Sequence, residues 1–150
     1  MEIRSILVNI DIAAPDSPAL RYAIDLASKV GASLIGVAAD QPNIAYAGID
    51  GGAAVVDVYS LEISEIETQL RRAEEAFQAR VPPTIARQWR AFVTERTTAL
   101  IETAGIADLV VTSQKTTTTF QQRQMTDLGA LVLSSGRPII DVASTASEAR

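Results

Sequence analysis

Residues 108–113 read Asp-Leu-Val-Val-Thr-Ser, three consecutive bulky apolar residues framed by polar ones. So short and continuous a run suits a strand covered on both faces, as in a parallel sheet, rather than a strand with one wet face, which would alternate. Working outward, Arg96 to Ala104 predicts a helix stopped at Gly105, and Ile85 to Val93, which carries Trp89, predicts a strand before it. Leu61 to Val81 predicts the longest helix, with Ile63, Ile66, Leu70, Ala73 and Phe77 as its apolar stripe and Pro82-Pro83 as its stop. Asp40 to Tyr59, with Pro42, Gly48, Gly51 and Gly52, reads as a long loop. Ala32 to Ala39 and Ile3 to Ile10 are two further buried strands. Between them Ser17-Pro18 opens a helix carrying Leu20, Ala23, Ile24, Ala27 and Val30, and Gly31 closes it. On the carboxyl side, Thr126 to Ser135 predicts a helix ended by Gly136, and Arg137 to Val142 (RPIIDV) a fifth strand. Ala143 to Arg150 reads as a frayed tail. Strands alternating with helices throughout define an α/β fold with a parallel sheet and helices on both faces.

The chain has 150 residues, 47% of them apolar, which is enough to bury one core, so residues 1–150 are expected to form a single domain. The net charge of -5, with two lysines and scattered arginines, argues against a nucleic-acid surface. Without Cys, thiol catalysis and disulfides are excluded; without His, the commonest general base and zinc ligand are missing. No carboxylate pair or metal cluster stands out, so the reading is not an enzyme. The start, Met1-Glu2-Ile3-Arg4-Ser5, lacks a signal-peptide core, and no segment has the ~20 apolar residues of a membrane span, so a cytoplasmic location with no membrane contact is expected.

The runs ILVNID (6–11), LIGV (34–37), ADLVVTS (107–113) and PIIDV (138–142) resemble the universal stress protein family along nearly the whole chain. The resemblance implies a five-stranded parallel sheet in the order 3-2-1-4-5, Rossmann-like and similar to the adenine nucleotide alpha hydrolases. It also places any ligand at the carboxyl ends of strands 1 and 4, where open α/β sheets switch direction. Family members that bind ATP carry Gly-x2-Gly-x9-Gly-Ser/Thr after strand 4. At that spacing the three glycines fall on Thr112, Lys115 and Met125, followed by Thr126, with Pro138 on the family's proline before the last strand. Glycine there lets backbone N–H groups reach phosphate oxygens with no Cβ in the way. All three are replaced, while Thr126 keeps the terminal hydroxyl and Lys115 adds a cation that could reach a phosphate.

Asp11 matches the family's adenine-contacting aspartate and also reads as a strand-ending turn residue. Val37 matches a second adenine-contacting position and also reads as core. The resulting expectation is a non-enzymatic stress-response or regulatory protein without the usual ATP site and without a required cofactor. The alternative is an adenine-nucleotide sensor for AMP or ATP using Asp11, Val37, Thr112, Lys115 and Thr126. A weak nucleotide hydrolase ranks last. Arg137 to Val142 lies at the sheet edge in this order, and an uncovered apolar edge invites pairing. The resemblance likewise implies a homodimer through that strand. Gly48 to Gly52 and Thr116 to Thr119 read as solvated loops. Asp16-Ser17 lacks the preceding glycines of a pyrophosphate loop, having Ala13, Ala14 and Pro15 instead.

Overall fold

The computed structural model describes residues 2–42, 53–114 and 126–143. In chain order the elements are β1 (Ser5–Asn9), α1 (Pro18–Val30), β2 (Ser33–Asp40), α2 (Ala53–Arg80), β3 (Arg87–Val93), α3 (Arg96–Ala104), β4 (Leu109–Gln114), α4 (Leu128–Ser135) and β5 (Ile139–Ala143). The strands form one parallel sheet ordered β3-β2-β1-β4-β5, with β1 at its centre. Gly48 to Gly52, Lys115, Thr116 to Thr119 and Met125 lie outside the described residues.

Strand periodicity divides the core between two layers. Ile6 and Val8 of β1 point to a layer with Leu20, Ala23 and Ala27 of α1 and Ile66, Leu70, Ala73 and Phe77 of α2. Leu7, between them, points to the opposite layer with Ala99 and Leu100 of α3 and Leu131 of α4. Both faces of the sheet are therefore covered, which is why the central strands carry unbroken apolar runs.

Local chemistry sets the helix ends. Ser17 Oγ accepts the Leu20 N–H at 3.3 Å, Pro18 follows it, and Gly31 closes α1 at φ 72°, where a side chain would be strained. Glu95 caps α3: its carboxylate oxygens accept the N–H groups of Thr97 (2.8 Å) and Thr98 (2.9 Å). Asp127 caps α4 by accepting the Ala130 N–H, so α4 starts two residues later than Thr126.

One expectation is corrected. Ala53 to Tyr59, read as loop, is the first part of α2. Val55 and Tyr59 do continue the spacing of Ile63, Ile66 and Leu70 backward, but the β-branched Val55, Val56 and Val58 lower helix propensity and follow closely on Gly51-Gly52, so the segment reads as part of the loop. The helix forms once Pro42 and the last glycine, Gly52, have been passed.

Asp108 fastens the start of β1 to the entry of β4. One carboxylate oxygen accepts from the N–H groups of Arg4 (2.8 Å) and Ser5 (3.1 Å) and from the Ser5 hydroxyl (3.3 Å). The Arg4 N–H is the largest influence on the Asp108 carboxyl; with the Ser5 donors and Arg137 it outweighs desolvation and holds the group below its usual 3.8. For Glu95 desolvation pushes upward most strongly, but the donors of Thr97 and Thr98 together prevail and the net shift from 4.5 is downward. A carboxylate whose folded pKa is depressed contributes stability that is complete above its unfolded pKa and is lost as pH falls through the folded one. Urea midpoints of the wild type should therefore drop as pH falls below about 4.5, the usual range of these acids. The gap between the wild type and Asp108→Asn should narrow over the same range. A gap that stays constant on acidification would contradict this assignment.

Candidate functional site

The strand order reverses between β1 and β4, so their carboxyl ends open the crevice where ligands of such sheets bind. The residues there are mostly joined to one another. Asn9, the last residue of β1, donates from Nδ2 to the hydroxyl of Thr112 on β4 (3.3 Å) and to the hydroxyl of Thr126 (3.2 Å). Thr112 is 0% exposed and Thr126 is also buried. One residue on, the Asp127 N–H donates to the buried Thr97 hydroxyl at 2.9 Å, tying the start of α4 to the start of α3. The chain Thr112–Asn9–Thr126, continued through Asp127 to Thr97, thus links two strands and two helix starts at one end of the sheet.

A second group lies toward β2. Asp11 Oδ1 accepts the Ala13 N–H at 2.9 Å, fixing the turn after β1, and pairs with Arg96 Nη2 at 3.5 Å. Arg96 is the first residue of α3, and its Nε donates to the Ala39 carbonyl of β2 at 3.3 Å. The Arg96 side chain thereby reaches from the end of β2 to the turn after β1. The two side chains are only 12% and 22% exposed, so this pair is far drier than the surface pair Arg4–Glu2 and less weakened by solvent.

Among the five candidate residues, Thr112 and Thr126 are brought together through Asn9, and Asp11 stands at the turn with Arg96. The Val37 side chain is packed in the layer of Leu7, Leu100 and Leu131, and its carbonyl accepts the Ile10 N–H at 2.8 Å. Lys115 lies outside the described residues. Asp16 pairs with Arg80 at 2.6 Å, joining the loop before α1 to the end of α2. Sequence reasoning missed Asn9, Arg96 and Thr97. The available signal for Asn9 was its place as an amide inside ILVNI, a run otherwise buried on both faces. Arg96 had no local signal, because its partners come from β2 and the turn after β1.

Chemically the site holds hydroxyls, a carboxamide and one guanidinium–carboxylate pair, polar groups that are engaged largely with one another. Among the described residues no three carboxylates gather as a metal site, and no helix is long and apolar enough to cross a membrane.

No protein-family model matches the sequence, and a search of the curated proteins finds no match. Solved structures do match over nearly the whole chain. A hypothetical protein whose biochemical function was assigned from its structure superposes with a TM-score of 0.72 at 11% identity, covering 95% of this chain and 97% of its own. A universal stress protein in complex with cAMP gives 0.63 at 19% identity, covering 96% and 99%. The universal stress protein from Archaeoglobus fulgidus in complex with dAMP gives 0.51 at 18% identity, covering 94% and 98%. With the strand order and the two-sided core already in place, these likenesses mean that the chain has the fold of the universal stress proteins.

Proposed function

We propose that this protein is a non-enzymatic stress-response or regulatory module of the cytoplasm, a homodimer that does not bind ATP in the manner usual for this fold. The observation that carries the reading is the Thr112–Asn9–Thr126 cluster. Thr126 is the hydroxyl kept at the end of the phosphate motif, and here it accepts from Asn9. Thr112 stands where the first glycine would let backbone approach a phosphate, and it adds there a fully buried side chain whose hydroxyl accepts from Asn9. A chain with no His and no Cys offers little for acid–base or nucleophilic chemistry, in keeping with a non-enzymatic role.

Dimerisation rests on the two sheet edges being unlike. β3 carries Arg87, Gln88 and Arg90 beside its apolar Trp89, Ala91, Phe92 and Val93, and the Arg87 guanidinium donates to the carbonyls of Gln78, Val81 and Pro82, so this edge is charged in its first half and partly anchored. β5 offers Ile139, Ile140 and Val142, only half-buried, at the other edge. Charged edges resist pairing and apolar ones promote it, which favours a second copy along Arg137 to Val142.

The second reading, a sensor of AMP or another adenine nucleotide, is favoured by the cAMP and dAMP complexes among structures of the same fold. It would require Asp11 to serve a base while paired with Arg96. Native mass spectrometry of the purified protein tests both readings together. The expected species is a dimer of 16.0 kDa chains carrying no nucleotide and taking up no ATP. A monomer, or stoichiometric ATP, overturns the first reading; uptake of AMP without ATP, abolished by Asp11→Ala, establishes the second.

A further inference from the structure

Helix α2 is longer than the sheet it covers. Its 28 residues span roughly 42 Å at 1.5 Å each, whereas the eight residues of β2 span roughly 26 Å. Its core stripe begins only at Ile66 and runs through Leu70 and Ala73 to Phe77. Asp57, Val58, Tyr59, Ser60 and Leu61 are all exposed. Five successive helical residues sweep more than a full turn, so Asp57 to Leu61 show solvent on every face of the helix. Since α2 follows β2 in a parallel crossover, this part of the helix lies toward the carboxyl side of the sheet, the side of the candidate site.

An isolated stretch of helix is marginal in water unless an apolar face is packed. This one leaves Val58 and Tyr59 about half exposed and Leu61 70% exposed. Val58, Leu61, Glu62 and Glu65 fall at i, i+3, i+4 and i+7 and share one face, distinct from the core stripe. Residues 53–70 hold Asp57, Glu62, Glu65 and Glu67 and no Lys or Arg, four acidic charges in a chain whose net charge is -5. A second copy would bring the same acidic face against its own, which like-charge repulsion opposes.

We infer that the amino-terminal part of α2 is a docking helix for a protein partner that presents an apolar groove rimmed by Lys or Arg. Val58 and Leu61 enter the groove and the exposed carboxylates beside them, Asp57 and Glu65, meet its rim, the helix-in-groove mode of recognition. Because α2 packs on β2 and β3, this surface is away from β5, and pairing through β5 leaves it free.

The test places the photo-crosslinking residue benzoylphenylalanine in the full chain at the exposed Ser64, three residues from Leu61 along the same side, in its own host cell, then purifies the captured protein and measures its affinity directly. The expected partner binds more weakly as salt rises, loses at least tenfold in affinity with Val58→Ser/Leu61→Ser, and loses affinity with Glu65→Lys. The thermal midpoint and circular dichroism of the variants should match the wild type, because these side chains lie outside the core; unchanged folding with lost binding separates docking from stability. Capture of nothing, capture only of a second copy, affinity indifferent to salt, or a change under twofold in the double variant would each overturn the inference.

Discussion

Phe77→Ala should lower unfolding stability by about 3–5 kcal/mol, the range for emptying a buried aromatic site. Phe77 is the largest fully buried side chain among the described residues, and it joins α2 to the sheet. Its ring centroid lies 5.4 Å from that of Trp89 at 42°, a tilted arrangement that adds to the effect of area alone. For a chain of this length the loss corresponds to roughly 6–20 °C in Tm. Trp89 is the only tryptophan, so its fluorescence reports directly on the contact. The folded variant should show red-shifted emission and a lower urea midpoint. A loss below about 1 kcal/mol would mean that α2 is not seated through this residue.

Gly36→Ala should also destabilise, although replacing glycine inside a strand ordinarily helps by about 0.5–1 kcal/mol. A Cβ at Gly36 would lie 2.9 Å from Phe77 Cε2 and 2.9 Å from Trp89 Cε3. Both are ring atoms, and Phe77 is fully buried, so it cannot swing aside as the end of a flexible chain would. Overpacking of this kind costs about 1–3 kcal/mol. The cause is testable by a double-mutant cycle. In a Phe77→Leu background the ring is gone and the penalty of Gly36→Ala should shrink, with Trp89 still resisting. Additive penalties, or a stabilising Gly36→Ala, would show that glycine is not needed for this close approach.

Gly36 also illustrates how much the sequence disclosed. LIGV was legible as a buried strand because its apolar run is continuous, but the reason for its glycine was not, since Phe77 and Trp89 are 41 and 53 residues away. Helix ends written in local chemistry, such as Ser17-Pro18 and Gly31, came out where expected. The start of α2 did not, because its valines are poor helix formers and lie close to Gly51-Gly52, which outweighed the stripe that Val55 and Tyr59 continue. The candidate site divides in the same way. Asp11, Thr112 and Thr126 could be placed by strand ends and motif spacing. Asn9 and Arg96 could not, because their roles depend on residues that only the crossover topology brings near. Patterning reports which face of an element is dry; it does not report which polar atoms meet at the end of a sheet.

The central position of β1 has a consequence for synthesis. Its partner on one side, β2, follows within about one helix of chain, but its partner on the other side, β4, pairs Ile6 with Leu109. At about 5–20 residues per second, a ribosome needs roughly 5–20 s to deliver the hundred residues between them. Throughout that interval an apolar strand keeps one row of backbone groups without its strand partner. The nascent chain is thus open to mispairing or chaperone capture until β4 is available, and Val111 with the Asp108 clasp on Arg4 and Ser5 belongs to the last segment that β1 needs.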